Sequence, residues 1–280
     1  MAIDSETRDL VARALVEDIG PGDVTAEAVV PEDASATATI RQKEAGVLFG
    51  LEVTAEVFRQ AGAGGLESLA GEGGEARVEV PARVARIEGP ARALLAGERT
   101  ALNFLCHLSG VATLTARFVA AVEGTGVTVL DTRKTTPGLR ALEKAAVAAG
   151  GGTNHRIGLH DAILIKENHI AVAGGLPEAV RWAREAEPEL PVEVECRDLA
   201  EVRAGVEAGA ARLLLDNMGI ADLREAVALA RAAETPPELE ASGGITLENV
   251  AEVASTGVDY VSIGALTHSA PALDLSMTLE

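Results

Sequence analysis

Cysteine, aromatic side chains and lysine are scarce in this 280-residue chain, and the first two scarcities each close off a class of function. Only Cys106 and Cys196 are present, in stretches that read as a helix and a buried strand. No disulfide framework is therefore expected, and a reducing compartment is. Four Phe, one Trp and one Tyr are too few to build base-stacking platforms, and a net charge of −19 repels nucleic-acid phosphates and anionic membranes at long range. No window approaches the roughly 18 consecutive apolar residues of a membrane span, and Asp4, Glu6 and Asp9 stand where a targeting segment would be basic. A soluble, cytoplasmic protein is expected. Of the 24 basic residues only Lys43, Lys134, Lys144 and Lys166 are lysines, the rest being arginine.

Hydrophobic residues make up 48% of the chain, ample for a buried core. The first part reads as mixed. Residues 4–18 carry apolar positions at helical spacing and stop at Gly20-Pro21-Gly22; segments 35–41, 46–51 and 76–88 read as strands separated by the glycine-rich stretch 62–74. From Ala91 to Val122 runs a long helical pattern that Gly110 divides, and a domain boundary is placed near residue 110. Residues 1–110 form one domain in this reading, with C-terminal residues packing back, and residues 111–280 a second.

The second part has a different rhythm. GVTVLD, AILIKEN, PVEVEC, RLLLDN, LEASGG and DYVSIG are apolar runs that end in polar residues, with helical stretches between them. Six strands in repeated βα units point to an incomplete βα barrel, with an open doubly wound sheet as the alternative.

In such architectures the chemistry gathers at the C-terminal ends of the strands. Those ends read Asp131-Thr132-Arg133-Lys134, Lys166-Glu167-Asn168-His169, Glu195, Asp216-Asn217, Ser242-Gly243-Gly244 and Ser262-Ile263-Gly264. Arg133, Lys134, Arg156 and Lys166 focus positive charge in an acidic protein, which attracts carboxylates and phosphates, and arginine grips a carboxylate bidentately. The glycines of SGG and IGALTH each follow a strand and precede a helical stretch, where backbone N–H groups can meet an oxyanion. Glu195 and Asp216 are hard oxygen donors suited to Mg²⁺ or to ribose hydroxyls. His155, His160 and His169 match no zinc spacing; His155 is read as a substrate contact and His107 as an ordinary helix residue.

Taken in order, DTRKTTPGLR (131–140), GGTNHRIGL (151–159), LIKENH (164–169), EVE (193–195), LLLDN (213–217), SGGI (242–245) and IGALTH (263–268), with GERTALNFL (97–105) upstream, resemble quinolinate phosphoribosyltransferase over essentially the whole chain. The resemblance implies an N-terminal α/β sandwich followed by an α/β barrel of fewer than eight strands. It implies transfer of phosphoribose from phosphoribosyl diphosphate to quinolinate with decarboxylation, giving nicotinate mononucleotide, CO₂ and diphosphate, with Mg²⁺ on the diphosphate. It further implies a homodimer, sometimes assembled to a hexamer, in which Arg99 reaches the neighbouring active site.

By the same resemblance Arg133, Arg156, His155 and Lys166, with Arg99, hold the quinolinate carboxylates, beside Thr132, and Lys134 points to the phosphates. Glu195 and Asp216 serve ribose and metal, directly or indirectly. Ser242, Gly243, Gly244, Ile263, Gly264 and Ala265 form the 5-phosphate loops. Lys134, Lys166, Glu195 and Asp216 are the expected catalytic set. Three rival readings are an aldolase-type Schiff base on Lys166, a molybdenum-transport-associated relative of the same fold, and a binding protein without turnover.

Overall fold

The computed structural model describes residues 3–74 and 76–280. Asp4 starts α1 (Ser5–Ile19) by accepting the Thr7 N–H at 2.7 Å, and Asp23 starts α2 (Val24–Val29) by accepting those of Thr25 and Ala26. Next come β1 (Ser35–Gln42), α3 (Leu51–Gln60), β2 (Leu66–Ser68), β3 (Ala82–Pro90) and α4 (Ala91–Ala121).

Three expectations change here. The strand expected over 46–51 is reduced to a single bridge between Gly46 and Arg77, and Leu51 instead opens α3. The cause is tertiary: Glu72, some twenty residues downstream, accepts the N–H groups of both Gly50 and Leu51 at 2.6 Å and caps the helix from outside. The strand expected over 76–88 lies at 82–90. Gly110 does not divide α4. A Cβ there would lie 2.1 Å from the Pro271 carbonyl oxygen, so this glycine admits the returning chain against an unbroken helix. By length and composition α4 could cross a membrane, but Leu94, Leu102, Leu105, Leu108 and Val111 are buried core residues.

The second rhythm of the sequence folds as β4 (Thr128–Leu130), α5 (Arg140–Ala149), β5 (Ile163–Ile165), α6 (Glu167–Ala173), α7 (Leu176–Ala186), β6 (Val192–Cys196), α8 (Leu199–Glu207), β7 (Arg212–Asp216), α9 (Ile220–Arg231), β8 (Glu238–Ser242), α10 (Val250–Ala254), β9 (Tyr260–Ser262) and α11 (Ala265–His268), and the final strand is β10 (Leu275–Leu279).

Two sheets result. An antiparallel sheet has the order β10-β1-β3-β2, and a parallel sheet of six strands has the order β4-β9-β8-β7-β6-β5. The parallel sheet curls without pairing β4 to β5, giving an incomplete barrel, while the antiparallel sheet and its helices form an α/β sandwich. Packing divides the chain into two compact units: the stretch to Ala116 with Thr136–Gly151 and Ser269–Glu280, and Arg117–Thr135 with Gly152–His268. The first unit thus recruits α5 and β10 from beyond residue 110, because β10 pairs with β1 and Gly150 packs against the Ala112 carbonyl.

Candidate active site

Side chains alternate along a strand, so residues two apart share a face. On the barrel's inner face this places Glu193 and Glu195 on β6, Arg212, Leu214 and Asp216 on β7, Glu238, Glu240 and Ser242 on β8, and Tyr260 and Ser262 on β9. The upper members are strand-end residues and the lower ones line the interior.

At the end of β4, Asp131 is fully buried and its carboxylate accepts the His155 backbone N–H at 2.9 Å. The Thr153 N–H donates to the Val129 carbonyl at 2.8 Å, and the Asp131 N–H to that of Thr153. This stitching lays the NHR loop beside β4 and brings Arg156 next to Arg133. The Arg156 guanidinium is pushed below its ordinary pKa by burial first and by the charge of Arg133 second. The Nε of Arg133 is buried without a hydrogen-bond partner. Two like charges held together this way call for an anion.

Lys134 leaves the same strand end in another direction. Thr132 Oγ1 accepts its N–H, the Thr267 hydroxyl donates to its carbonyl at 2.8 Å, and its side chain passes over Gly264, where a Cβ would meet Lys134 Cδ at 3.0 Å. The DTRK motif and the last glycine turn are therefore one local structure. Lys166, at the end of β5, forms an ion pair and hydrogen bond with Glu195 at the end of β6. His169 Nδ1 accepts the Lys166 N–H and starts α6, a local helix-capping duty.

Asp216, at the end of β7, accepts the Asn217 side-chain amide at 3.0 Å. Asn217 has φ 56°, the only non-glycine residue with positive φ among the described residues. It lies against Gly243, where a Cβ would be 2.2 Å from Asn217 Oδ1, so no side chain fits at Gly243. The SGG turn does not sit at a helix N-terminus as expected from sequence. Asn249 first closes a turn by donating to the Gly244 carbonyl and accepting the Thr246 N–H, and α10 begins only at Val250. Gly264 does stand directly before a helix, α11, but that helix is a single turn. An oxyanion here would meet loop amides more than a helix dipole.

Arg99 is exposed on α4, within the first unit. His107 does more than the sequence reading gave it: its Nε2 lies 2.8 Å from Glu143, a fully buried carboxylate whose other oxygen accepts the Thr136 N–H.

The interior group Glu193, Glu240 and Arg212 was not singled out by the strand-end reading. His155 Nε2 is 2.8 Å from Glu193 and 3.5 Å from Glu240, and Arg212 is 3.7 Å from Glu240. Burial and then the neighbouring Glu193 push the Glu240 carboxyl up to about 7. Burial alone would depress His155, but the Glu193 hydrogen bond and the Glu240 and Glu193 charges outweigh it and raise the imidazole above its ordinary value, Arg212 opposing. Among the described residues His155, Glu193 and Glu240 are the group able to hold a metal ion. The alternation in VEVE and ELEAS was the available signal, since a second glutamate two residues inside a strand must face the same interior.

Comparison with known proteins identifies the family. The family model for the quinolinate phosphoribosyl transferase C-terminal domain matches residues 111–278, and that for the N-terminal domain matches residues 23–109. A nicotinate-nucleotide pyrophosphorylase [carboxylating] of Mycobacterium leprae is 43% identical over 274 residues, covering 97% of this chain and 96% of its own. A quinolinate phosphoribosyltransferase [decarboxylating] of Nicotiana tabacum is 37% identical over 295 residues, covering 98% and 83%. The solved nicotinate-nucleotide pyrophosphorylase of Francisella tularensis superposes with a TM-score of 0.93 at 39% identity, covering 100% of this chain and 98% of that one.

Proposed function

Because this chain belongs to the quinolinate phosphoribosyltransferase family, we propose a division of labour among its strand-end residues for that family's reaction. The enzyme is a pentosyltransferase of NAD biosynthesis. It moves phosphoribose from phosphoribosyl diphosphate to the ring nitrogen of quinolinate and removes the 2-carboxylate, leaving nicotinate mononucleotide, CO₂ and diphosphate.

The observation that carries the assignment is the pairing of Arg133 with Arg156 across the Asp131–His155 bond, two crowded cations in a chain of net charge −19. They grip the quinolinate carboxylates, with His155, Lys166 and Thr132 around them. Arg99 of the partner subunit completes the clamp, so the working unit is a homodimer, which a hexamer would preserve. Lys134, lying over Gly264, faces the phosphates. The turns Ser242-Gly243-Gly244 and Ile263-Gly264-Ala265 receive the 5-phosphate through backbone N–H groups.

Breaking the C1–diphosphate bond leaves positive charge on the ribose and negative charge on the leaving group. Glu195 and Asp216, at the ends of adjacent strands, stabilise the first. Lys134 stabilises the second together with Mg²⁺, which neutralises charge on the diphosphate when bound. Both carboxylates are hard oxygen donors, but Lys166 already occupies Glu195. Glu195 and Asp216 would therefore meet a diphosphate-bound Mg²⁺ through water, and the ion would supply charge neutralisation to the leaving group. Once the ring nitrogen is quaternary it accepts the electron pair of the departing carboxylate, so no covalent nucleophile is required. Lys166 Nζ is engaged by Glu195, which speaks against a Schiff base there. The enzyme works in the cytoplasm.

Incubation with quinolinate, phosphoribosyl diphosphate and Mg²⁺ yields nicotinate mononucleotide and CO₂ in equal amounts, and chelation of Mg²⁺ by EDTA stops the reaction. Absence of product, or full turnover in EDTA, contradicts these roles.

A further inference from the structure

Below the substrate clamp, inside the barrel, lies a group of charges with no role in the reaction as described above. Glu193 and Glu240 are only 6% and 1% exposed. Their carboxylate oxygens and a ring nitrogen of His155 all lie within 4.8 Å of one another. Glu193 Oε1 and Glu240 Oε2 are buried without a hydrogen-bond partner. Arg212 faces Glu240 from β7 and binds Glu238 at 2.7 Å, while the Tyr260 hydroxyl donates to Glu238 at 2.9 Å from β9. Ser262, also on β9, hydrogen-bonds Glu240, and Asp131 at the end of β4 fixes the His155 backbone.

Buried carboxylates need a counter-charge or a proton, since an isolated one is strongly disfavoured. The Arg212 guanidinium, 3.7 Å from Glu240, supplies one counter-charge from β7. The rest comes from a shared proton and from the imidazole of His155, whose Nε2 is hydrogen-bonded to Glu193 on β6 and faces Glu240 on β8 at 3.5 Å. A neutral ring with its proton on the other nitrogen would set a lone pair against two carboxylates.

We propose that Glu193 and Glu240 are positioning residues for the reaction, holding His155 from inside the barrel as an imidazolium in one orientation. The ring then presents a fixed positive charge to a quinolinate carboxylate. This rests on the reading of His155 as a quinolinate contact. The two glutamates touch no substrate and act through that ring.

The test uses full-length enzyme with ¹⁵N-labelled histidine, and steady-state kinetics of the Glu193→Gln and Glu240→Gln variants across pH. In the wild type the His155 ring titrates above the ordinary histidine value of about 6.5, Nε2 staying protonated, and kcat/KM for quinolinate falls as pH rises through that titration. Removing the Glu193 charge moves both transitions to lower pH by roughly one unit and raises the quinolinate KM about tenfold near pH 7.5, as expected for one lost charged hydrogen bond; Glu240→Gln, at 3.5 Å and without a hydrogen bond to the ring, moves them in the same direction by less. The KM for phosphoribosyl diphosphate stays put. Titration of His155 below about 6.5 in the wild type overturns the inference without any variant. So does a folded Gln variant with an unmoved pH profile, or a uniform loss across kcat and both KM values. His155→Ala separates the levels. An unchanged quinolinate KM refutes the contact itself and the inference with it, whereas a raised KM beside unmoved Gln variants refutes the inference alone.

Discussion

A methyl group at Gly243 would collide with Asn217 Oδ1 at 2.2 Å, on a backbone with φ 92°. Gly243→Ala therefore displaces the amide that bonds Asp216. It is expected to cost about 1–3 kcal/mol of stability and to raise the KM for phosphoribosyl diphosphate more than that for quinolinate. Thermal unfolding and two-substrate kinetics check both. Arg156→Lys keeps a charge but loses the planar fork; quinolinate affinity should fall by about 10- to 100-fold while phosphoribosyl diphosphate binding holds. Equal losses for the two substrates would contradict the clamp. Arg133 and Lys166 were legible as charges at strand ends, Arg156 as a further cation nearby, and motif resemblance gave them roles. The tight fit between Gly243 and Asn217 was not legible, because a contact between neighbouring strand ends 26 positions apart leaves no local pattern.

Along the strands, the polar column within the barrel carries a pH dependence. A carboxyl raised to about 7 keeps its proton in the folded protein while the unfolded chain loses it near 4.5. The unfolded state then binds fewer protons, so stability falls as pH climbs from about 4.5 to about 7. The raised His155 acts in the same direction, its contribution being whole below about 6.5 and lost as pH rises through its folded value. Chemical denaturation of Glu240→Gln should show a flatter slope over that interval, and an unchanged slope would count against the buried carboxyl. Elements with strong local periodicity, such as α4 and the six barrel strands, were readable in advance. Helix α3 was not: Glu72 caps its start from a distant loop, and the apolar run 46–51 has the composition of a strand. The five-residue gap between Gly244 and α10 was hidden likewise, since Asn249 serves the turn and not the helix.

For the molecule as a whole, the shared site predicts complementation. Arg99→Ala and Lys166→Ala homodimers should each be inactive, yet random mixing restores about a quarter of wild-type activity, because half of the dimers then carry one intact site of two. No recovery in verified mixed dimers would remove Arg99 from the neighbour's site. Composition gave the charge, the repeated apolar runs gave the incomplete barrel, and the return of the C-terminal residues to the first unit was expected; what stayed hidden was that this unit borrows α5 in addition to β10, a matter of packing between segments apart in sequence. That borrowing imposes an order on synthesis. On the ribosome β1 emerges early and must wait with one edge unpaired while every barrel strand is made, because its partner β10 is translated last. The nascent chain is thus exposed to edge-to-edge association for most of its elongation, and a chaperone that shields residues 35–42 would do most for its yield.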